Sequence, residues 1–207
     1  MKNVLFFIFI FQISILNAQE RFDSVSCVLE IDSLENIFGT NKEILEDYKV
    51  SILKALSFYP ELKMVRIKFK KAHLKTSLTT RPTFFSLLFR RKLNRTYVVR
   101  IDDDTSKIRI KDAPFNAKIG VFGHEFAHII DYSQRNIFGV IARGFSYLSK
   151  KKKEEFEKYI DYLTIQYHLK YQLYDWTVFV LNSPKGSEEY KLFKRRIYLE
   201  PNEILDE

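Results

Sequence analysis

Two histidines four residues apart, with a glutamate beside the first, are the residues of this chain best suited to chemistry. They stand in the stretch Gly123–His128, which reads Gly-His-Glu-Phe-Ala-His. Residues four apart on a helix share a face, so His124 and His128 can aim ring nitrogens at one point. That pair supplies two ligands of a tetrahedral zinc site, and Glu125 can reach the open side of the ion. The spacing therefore predicts a zinc site with Glu125 as general base.

The histidine pair lies within an apolar repeat of helical period. The repeat predicts a helix from about Asn116 to Gln134, with one stripe facing the core and another carrying the histidines. Gly120 and Gly123 lower helix propensity, so we expect the sheet or a ligand to come close at those turns. The alternative is a helix whose two histidines are hydrogen-bonded and hold no metal. The core-facing residues are Ile119, Phe122, Phe126 and Ile130.

A catalytic zinc site needs a third protein ligand and an open position. A third histidine six residues after His128 is excluded, because Gln134 stands there. We choose Glu157, because Asp161 follows it on the same helix face and zinc-bound histidines usually donate their second ring N–H to a carboxylate. Asp131, one turn beyond His128, is a rival for that outer role. The alternative is a solvated acidic pair on a basic helix. The candidates considered for the third ligand are Glu154, Glu155, Glu157, Asp161 and His168.

The first 18 residues differ in kind from the rest of the chain. Lys2 is followed by an almost wholly apolar run, Val4–Leu16, and then by Ala18, a small residue suited to cleavage. This pattern predicts a secretory signal peptide, which would make the protein periplasmic or extracellular. The apolar run is short for a bilayer span, so we expect no stable span after signal removal. An uncleaved anchor is the alternative.

Length and composition indicate one globular domain. The chain has 207 residues, of which 46% are hydrophobic and 15% aromatic, enough for one core. We expect a single domain over residues 19–207, divided into an α/β part (19–135) that contains the histidine helix and a helical part (136–207) that contains the third ligand. Cys27 is the only cysteine. It excludes an intrachain disulfide, and we expect it to be a small buried residue.

The chain is basic, with a net charge of +8 and a pI of about 9.4. The basic residues are spread out, which favours a solvated surface and no nucleic-acid partner. Binding to an anionic surface or a nucleic acid through Arg90–Lys92 and Lys150–Lys153 is the weaker alternative.

The rest of the chain gives clearer predictions for strands than for the segments between them. Alternating apolar residues predict strands at Met64–Lys70, Tyr97–Ile101 and Lys107–Ile110, the last two joined by an aspartate-rich turn that lacks the spacing of a calcium loop. The apolar segment Thr83–Phe89 is predicted to be a loop or helical turn packed on the core. A loop that contacts substrate or membrane is the alternative. The polar tail Tyr198–Glu207 is expected to be loosely held.

The histidine motif together with Glu157-x-x-x-Asp161 resembles the gluzincins, zinc metallopeptidases whose third ligand is a glutamate. The likeness covers about Asn116–His168, and the preceding order of a helix and then strands resembles the zincin half-domain. The whole chain resembles a group of short, exported bacterial metallopeptidases of unknown substrate. It departs from the best-known gluzincins in a longer gap between His128 and Glu157, and no asparagine precedes the glutamate.

The resemblance implies an α+β, zincin-like fold, with a small antiparallel or mixed sheet packed on the metal helix and a mostly helical C-terminal part. It implies hydrolysis of peptide bonds in a peptide or protein substrate, with one Zn²⁺ as cofactor. In zincins an edge strand beside the metal helix pairs with the substrate, and Tyr97–Ile101 or Lys107–Ile110 could serve. The alternative function is a non-catalytic, exported, zinc-containing binding module at the cell surface. The sequence does not distinguish among His168, Tyr171 and Tyr174 as the oxyanion-stabilising group.

Overall fold

The structure, a computed structural model, describes residues 21–104 and 106–207, with Leu93 described by its backbone alone. The predicted signal peptide lies outside these residues. The strands are β1 (Lys42–Glu43), β2 (Arg66–Ala72), β3 (Leu78–Pro82) and β4 (Thr96–Asp102). The helices of the first half are α1 (Ser24–Leu29), α2 (Ile31–Phe38), α3 (Lys49–Leu56) and α4 (Phe84–Phe89). Those of the second half are α5 (Phe115–Gln134), α6 (Ile137–Ser146), α7 (Lys150–Gln166), α8 (Lys170–Asn182), α9 (Glu188–Ile197) and α10 (Pro201–Asp206).

The α+β class is confirmed, with a small mixed sheet followed by a mostly helical part. The strand order is β1-β2-β4-β3, in which β1, β2 and β4 run parallel and β3 is antiparallel to β4. The alternation predicted for β2 is present, because Ile67 and Phe69 are buried while Arg66 and Lys70 are exposed. An amphipathic strand of this kind covers a core on one face only. That core lies between the sheet and α5.

Helix α5 is the centre of the molecule. Fifteen of its twenty residues are buried, so it is a core helix and not an amphipathic surface helix. The rings of Phe122 and Phe126 meet the Phe69 ring of β2 edge-on, at centroid distances of 6.1 and 6.2 Å. The close approach predicted at Gly120 is present, but helix α8 makes it, since a Cβ there would lie 2.0 Å from the Gln172 carbonyl oxygen.

Two predictions about the strands need correction. Tyr97–Ile101 is a strand, as predicted, and forms part of β4. Both edges of β4 are hydrogen-bonded, one to β2 and the other to β3, so this segment is not the edge strand that was expected to pair with a substrate. Lys107–Ile110 is not a strand and leads into a single 3₁₀ turn, Ile110–Asp112. Its alternation correctly indicated that Ile108 and Ile110 are buried. Burial alone does not make a strand, because both sides of β4 are already paired.

Two further segments also differ from expectation. Thr83–Phe89 contains the expected helical turn, α4, and Leu87 packs on the core, but Phe84, Phe85 and Phe89 are between 69% and 77% exposed. The tail is held in place rather than loose, because Leu199 and Ile204 are buried and α10 packs on α8. Cys27 is buried, as predicted. None of the helices in the described part of the chain combines the length and apolar character that crossing a bilayer requires.

Candidate metal centre

Helices α5 and α7 bring the two histidines and the predicted third ligand together. His124 and His128 lie one turn apart on α5, and Glu157 faces them from α7. One carboxylate oxygen, Glu157 Oε2, lies 3.3 Å from His124 Nε2 and 3.4 Å from His128 Nε2. All three side chains are buried. The described residues therefore contain a compact group of three ligand atoms that could hold a metal ion.

Helix α7 turns Glu157 inward because of its own residue pattern. Ser149 caps its N-terminus by accepting a hydrogen bond from the Lys152 N–H, a role for which serine is well suited. Phe156 and Ile160, four residues apart on one helix face, then pack into the core. The neighbouring stripe is polar but equally buried, and carries Glu157 and Asp161.

Two of the three separations between the ligand atoms match a tetrahedral zinc site. Zinc lies about 2.0–2.2 Å from nitrogen and carboxylate-oxygen ligands in a tetrahedral site, so neighbouring ligands are about 3.3–3.5 Å apart. The separations of 3.3 and 3.4 Å from Glu157 Oε2 match this geometry. Glu157 Oε2 is buried and has no aligned hydrogen bond. A buried carboxylate oxygen is costly without a donor or a cation, so the donor set fits a cation.

The other atoms of this group are fixed by hydrogen bonds. His124 Nδ1 lies 2.8 Å from Asp161 Oδ1, and the second oxygen of Asp161 accepts the Leu199 N–H at 2.9 Å. The Tyr147 hydroxyl donates to Glu157 Oε1 at 2.8 Å. Such partners orient metal ligands and tune their basicity. The structure thus brings Asp161 to the place expected for an outer carboxylate of His124.

The charges of the group influence one another strongly. Burial acts to lower the pKa of His124, but the Asp161 and Glu157 carboxylates outweigh it and raise this pKa to about 10. Burial likewise opposes ionisation of Glu157, but its two histidine neighbours hold the pKa well below the usual range. The ionised carboxylates therefore favour positive charge at this position, whether a proton or a metal ion supplies it.

Asp131 is not brought to His128. Its two oxygens accept hydrogen bonds from the Arg135 and Arg143 guanidinium groups, at distances between 2.7 and 3.1 Å. His128 Nδ1 has no hydrogen-bond partner among the described residues. Asp131 lies one helical turn after His128. Guanidinium groups that donate two hydrogen bonds to a carboxylate bind it more strongly than a neutral imidazole does, so Asp131 pairs with the arginines.

Glu125 lines a narrow cavity of about 40 Å³ together with His124. Its Oε2 atom is buried and has no hydrogen-bond partner in the described structure. Residues of α8, of α9 and of the segment after α9 line much of the rest of the cavity. The cavity-lining residues from these three parts are Leu173, Trp176, Thr177, Val180, Leu181, Lys194, Arg195, Tyr198, Leu199 and Glu200.

Three residues beside this group were missed by reasoning from the sequence. The Tyr198 ring lies 5.5 Å from the His124 ring, and Lys194 Nζ lies 4.4 Å above the Tyr198 ring. Tyr147 contacts Glu157 as described above. Lys194 and Ile197 are buried on α9, and their helical spacing from Tyr190 was the available signal. None of the earlier oxyanion candidates lines the cavity: His168, Tyr171 and Tyr174.

A second group, His73, Asp102 and Asp103, also brings possible ligand atoms together. Two of its three members are exposed, and Lys107 Nζ lies 3.6 Å from Asp102 Oδ2. The Lys107 ammonium group already balances the negative charge that a bound metal ion would neutralise. The region is therefore best described as the aspartate-rich turn expected from the sequence.

Comparison of the chain with models of known families, with the curated proteins and with the solved structures finds no match. The functional assignment therefore rests on the geometry of the described residues.

Proposed function

We propose that this chain is a zinc-dependent hydrolase of peptide bonds, with a gluzincin-type site in a zincin-like fold. His124, His128 and Glu157 would hold one Zn²⁺, and Glu125 would act as the general base. The observation that carries the proposal is the pair of distances, 3.3 and 3.4 Å, from one buried carboxylate oxygen to two imidazole nitrogens. Zinc, when bound there, would polarise the scissile carbonyl and bring the pKa of a water to about 7.

Glu125 provides the proton transfer that this reaction needs. Its Oε2 atom is buried without a hydrogen-bond partner, in the same cavity as His124. A carboxylate in that position accepts a proton from the attacking water and delivers it to the leaving amine. A purely structural metal site gives no role to such a group, so Glu125 favours an enzyme over a zinc-containing binding module.

The surrounding residues prepare the ligands. Asp161 accepts a hydrogen bond from His124 Nδ1, which leaves Nε2 of that ring free to bind a metal. Tyr147 holds Glu157 Oε1, which leaves Oε2 directed at the two histidines. Tyr198 and Lys194, both beside His124 in the cavity, are better placed to stabilise a developing oxyanion than residues outside it.

Strand β3 is the best candidate for binding the substrate backbone. It pairs with β4 on one side and is the last strand of the sheet order, so no described strand pairs with its other edge, to which an extended peptide would add. Leu78, the first residue of β3, lines the cavity with His124 and Glu125. An extended peptide paired with β3 would therefore pass beside the general base. Neither strand considered from the sequence has such an edge.

The decisive experiment is the substitution Glu125→Gln. We expect the variant to retain one zinc per chain in elemental analysis, because Glu125 is not a ligand. Hydrolysis of a mixed peptide library, followed by mass spectrometry, should fall by about 10²–10⁴-fold, because the base is lost. The matched control is Glu155→Gln on the exposed face of α7, where the side chain is 62% exposed. The control should retain both zinc and activity.

Two results would contradict the proposal in different ways. Zinc content unchanged by Glu157→Ala would remove the ligand assignment. Full zinc content in the wild-type protein without hydrolysis of any library peptide would favour the exported binding module instead. Export itself remains a prediction from residues 1–18, and N-terminal sequencing of the protein recovered outside the cytoplasm checks it.

A further inference from the structure

Eight large apolar side chains are exposed on helices α4 and α6 and on Leu148, which follows α6. These side chains form what we call the apolar patch, and each is between 41% and 81% exposed. Patches of this kind on a soluble surface mark interaction sites. The apolar patch consists of Phe84, Phe85, Leu88, Phe89, Phe138, Ile141, Phe145 and Leu148.

The segments that carry the apolar patch are also strongly basic. Residues 62–101 contain twelve lysines and arginines and no acidic residue. Residues 132–153 contain six basic residues and again no acidic one. Arg90 and Arg91 follow α4 directly and are exposed, as is Lys150 after α6. Asp131 pairs with Arg135 and Arg143, so the positive charge beside the apolar patch comes chiefly from the exposed Arg90, Arg91 and Lys150.

The shape of the apolar patch argues against a single peptide as its partner. Part of it forms a groove between α4 and α6, with Phe84 and Phe145 among its lining residues. Phe85, Phe89 and Phe138 are not among the residues that line this groove. A peptide lying in the groove would leave these three rings in water, whereas a broad apolar interface would cover all of them.

We propose that the apolar patch docks this protein onto an anionic phospholipid surface. Aromatic side chains enter the interfacial region of a bilayer, and adjacent lysines and arginines are attracted to anionic headgroups. The proposal does not depend on the proposed peptidase activity. It does place the metal centre close to the lipid, because Tyr132 lines the same groove and stacks on His128 at a centroid distance of 5.9 Å.

The test is binding of the purified full chain to vesicles, measured by co-sedimentation. We expect binding to vesicles of phosphatidylcholine with phosphatidylglycerol, and at least about tenfold weaker binding to phosphatidylcholine alone. The double variant Phe85→Ser/Phe145→Ser should bind the anionic vesicles at least about tenfold more weakly, because two aromatic rings no longer enter the interface. Both side chains are largely exposed, so the variant should fold, and its melting temperature verifies this.

The matched control is Met64→Ser/Leu192→Ser. These two apolar side chains are each 64% exposed but lie before β2 and on α9, outside the apolar patch. The control should bind vesicles as the wild type does. All proteins are prepared identically, so any contribution from residues 1–20 is common to every sample. The proposal is overturned if the two double variants bind equally, if the wild type fails to bind anionic vesicles, or if an apolar peptide occupies the patch while vesicles do not.

Discussion

Three of the four buried carboxylates of α5 and α7 are chemically alike but differ in their neighbours, and the neighbours decide what each can do. Glu157 faces two imidazole nitrogens with one oxygen and a tyrosine hydroxyl with the other. Asp161 joins His124 to the backbone of Leu199. Asp131 is held by two guanidinium groups. The roles proposed for Glu157 as ligand and for Asp161 as support of a ligand, and the ion pairs of Asp131, therefore differ in hydrogen-bond partners and not in residue type or burial.

The substitution Asp161→Asn tests this distinction. It removes the carboxylate from His124 Nδ1, and loss of such an outer partner typically weakens metal binding by about 10–100-fold. Competition with a fluorescent zinc chelator measures the change. The control, Asp131→Asn, should leave zinc affinity nearly unchanged but lower the free energy of unfolding by roughly 1–3 kcal/mol, because two arginines lose a charged hydrogen-bond partner. Equal effects of the two variants on zinc affinity would contradict the assignment.

Reasoning from the sequence located the residues of the site that share a helix. The spacing of His124 and His128, and of Glu157 and Asp161, is a property of the helix alone. Tyr147 and Tyr198 could not be found in this way. They reach the site from after α6 and after α9, and only the packing of those segments determines which side chains meet. The same limit explains only part of the Asp131 ion pair: Arg143 reaches Asp131 from α6, whereas Arg135 follows it by one helical turn and could have been identified from that spacing.

At the scale of elements, the packing of α5 on α8 positions the site. The backbone of α8 lies so close to α5 that a Cβ on Gly120 would be 2.0 Å from the Gln172 carbonyl oxygen and 2.6 Å from the Leu173 nitrogen. Glycine lowers helix stability by about 1 kcal/mol relative to alanine. The chain accepts this cost at Gly120 because the two backbones could not otherwise approach.

Gly120→Ala should therefore destabilise the protein. The added methyl group meets backbone atoms that cannot rotate away, and overpacking of this kind costs about 1–3 kcal/mol. That loss should exceed the gain in helix propensity. The matched control is Gly144→Ala on α6, where no atom lies within 4 Å of the added Cβ, and a gain of about 0.5–1 kcal/mol is expected. Urea unfolding of both variants measures the two values, and a stabilised Gly120→Ala protein would contradict the packing argument.

The elements were predictable where periodicity was strong. Helix α5 begins and ends within one residue of the expected bounds, and β2 and β4 lie where alternation placed them. Strand β3 was missed because Leu78–Pro82 contains two threonines, an arginine and a proline, which give little apolar alternation. It forms because β4 offers it an edge. Pairing between distant segments, such as this one, has no local signature.

At the scale of the whole molecule, the candidate metal centre connects two helices that are distant in sequence. Helices α5 and α7 are separated by α6, and His128 is 29 residues from Glu157 in the sequence. A ligand that binds only the folded chain stabilises it, by about 2.7 kcal/mol when its free concentration is one hundred times its dissociation constant. Zinc bound by α5 and α7 would therefore raise the melting temperature of the whole domain.

The size of this zinc effect should depend on pH, and its direction follows from the pKa of His124. In the metal-free protein this pKa is raised from 6.5 to about 10 by Asp161 and Glu157, against the effect of burial. The raised pKa stabilises the fold fully below pH 6.5, and this contribution is lost as the pH rises toward 10. Metal binding requires the neutral ring and so becomes more favourable over the same interval.

We therefore expect the melting temperature of chelator-treated protein to fall between pH 6.5 and 9, while that of the zinc-loaded protein falls less, so that the difference between them widens. Differential scanning calorimetry at matched ionic strength measures both. The variant His124→Gln removes the titrating ring and should make the metal-free melting temperature less dependent on pH in this interval. If the difference between loaded and chelator-treated wild type stayed constant, the ring would not be exchanging a proton for a metal ion, and the convergence of α5 and α7 on Glu157 Oε2 would need another explanation.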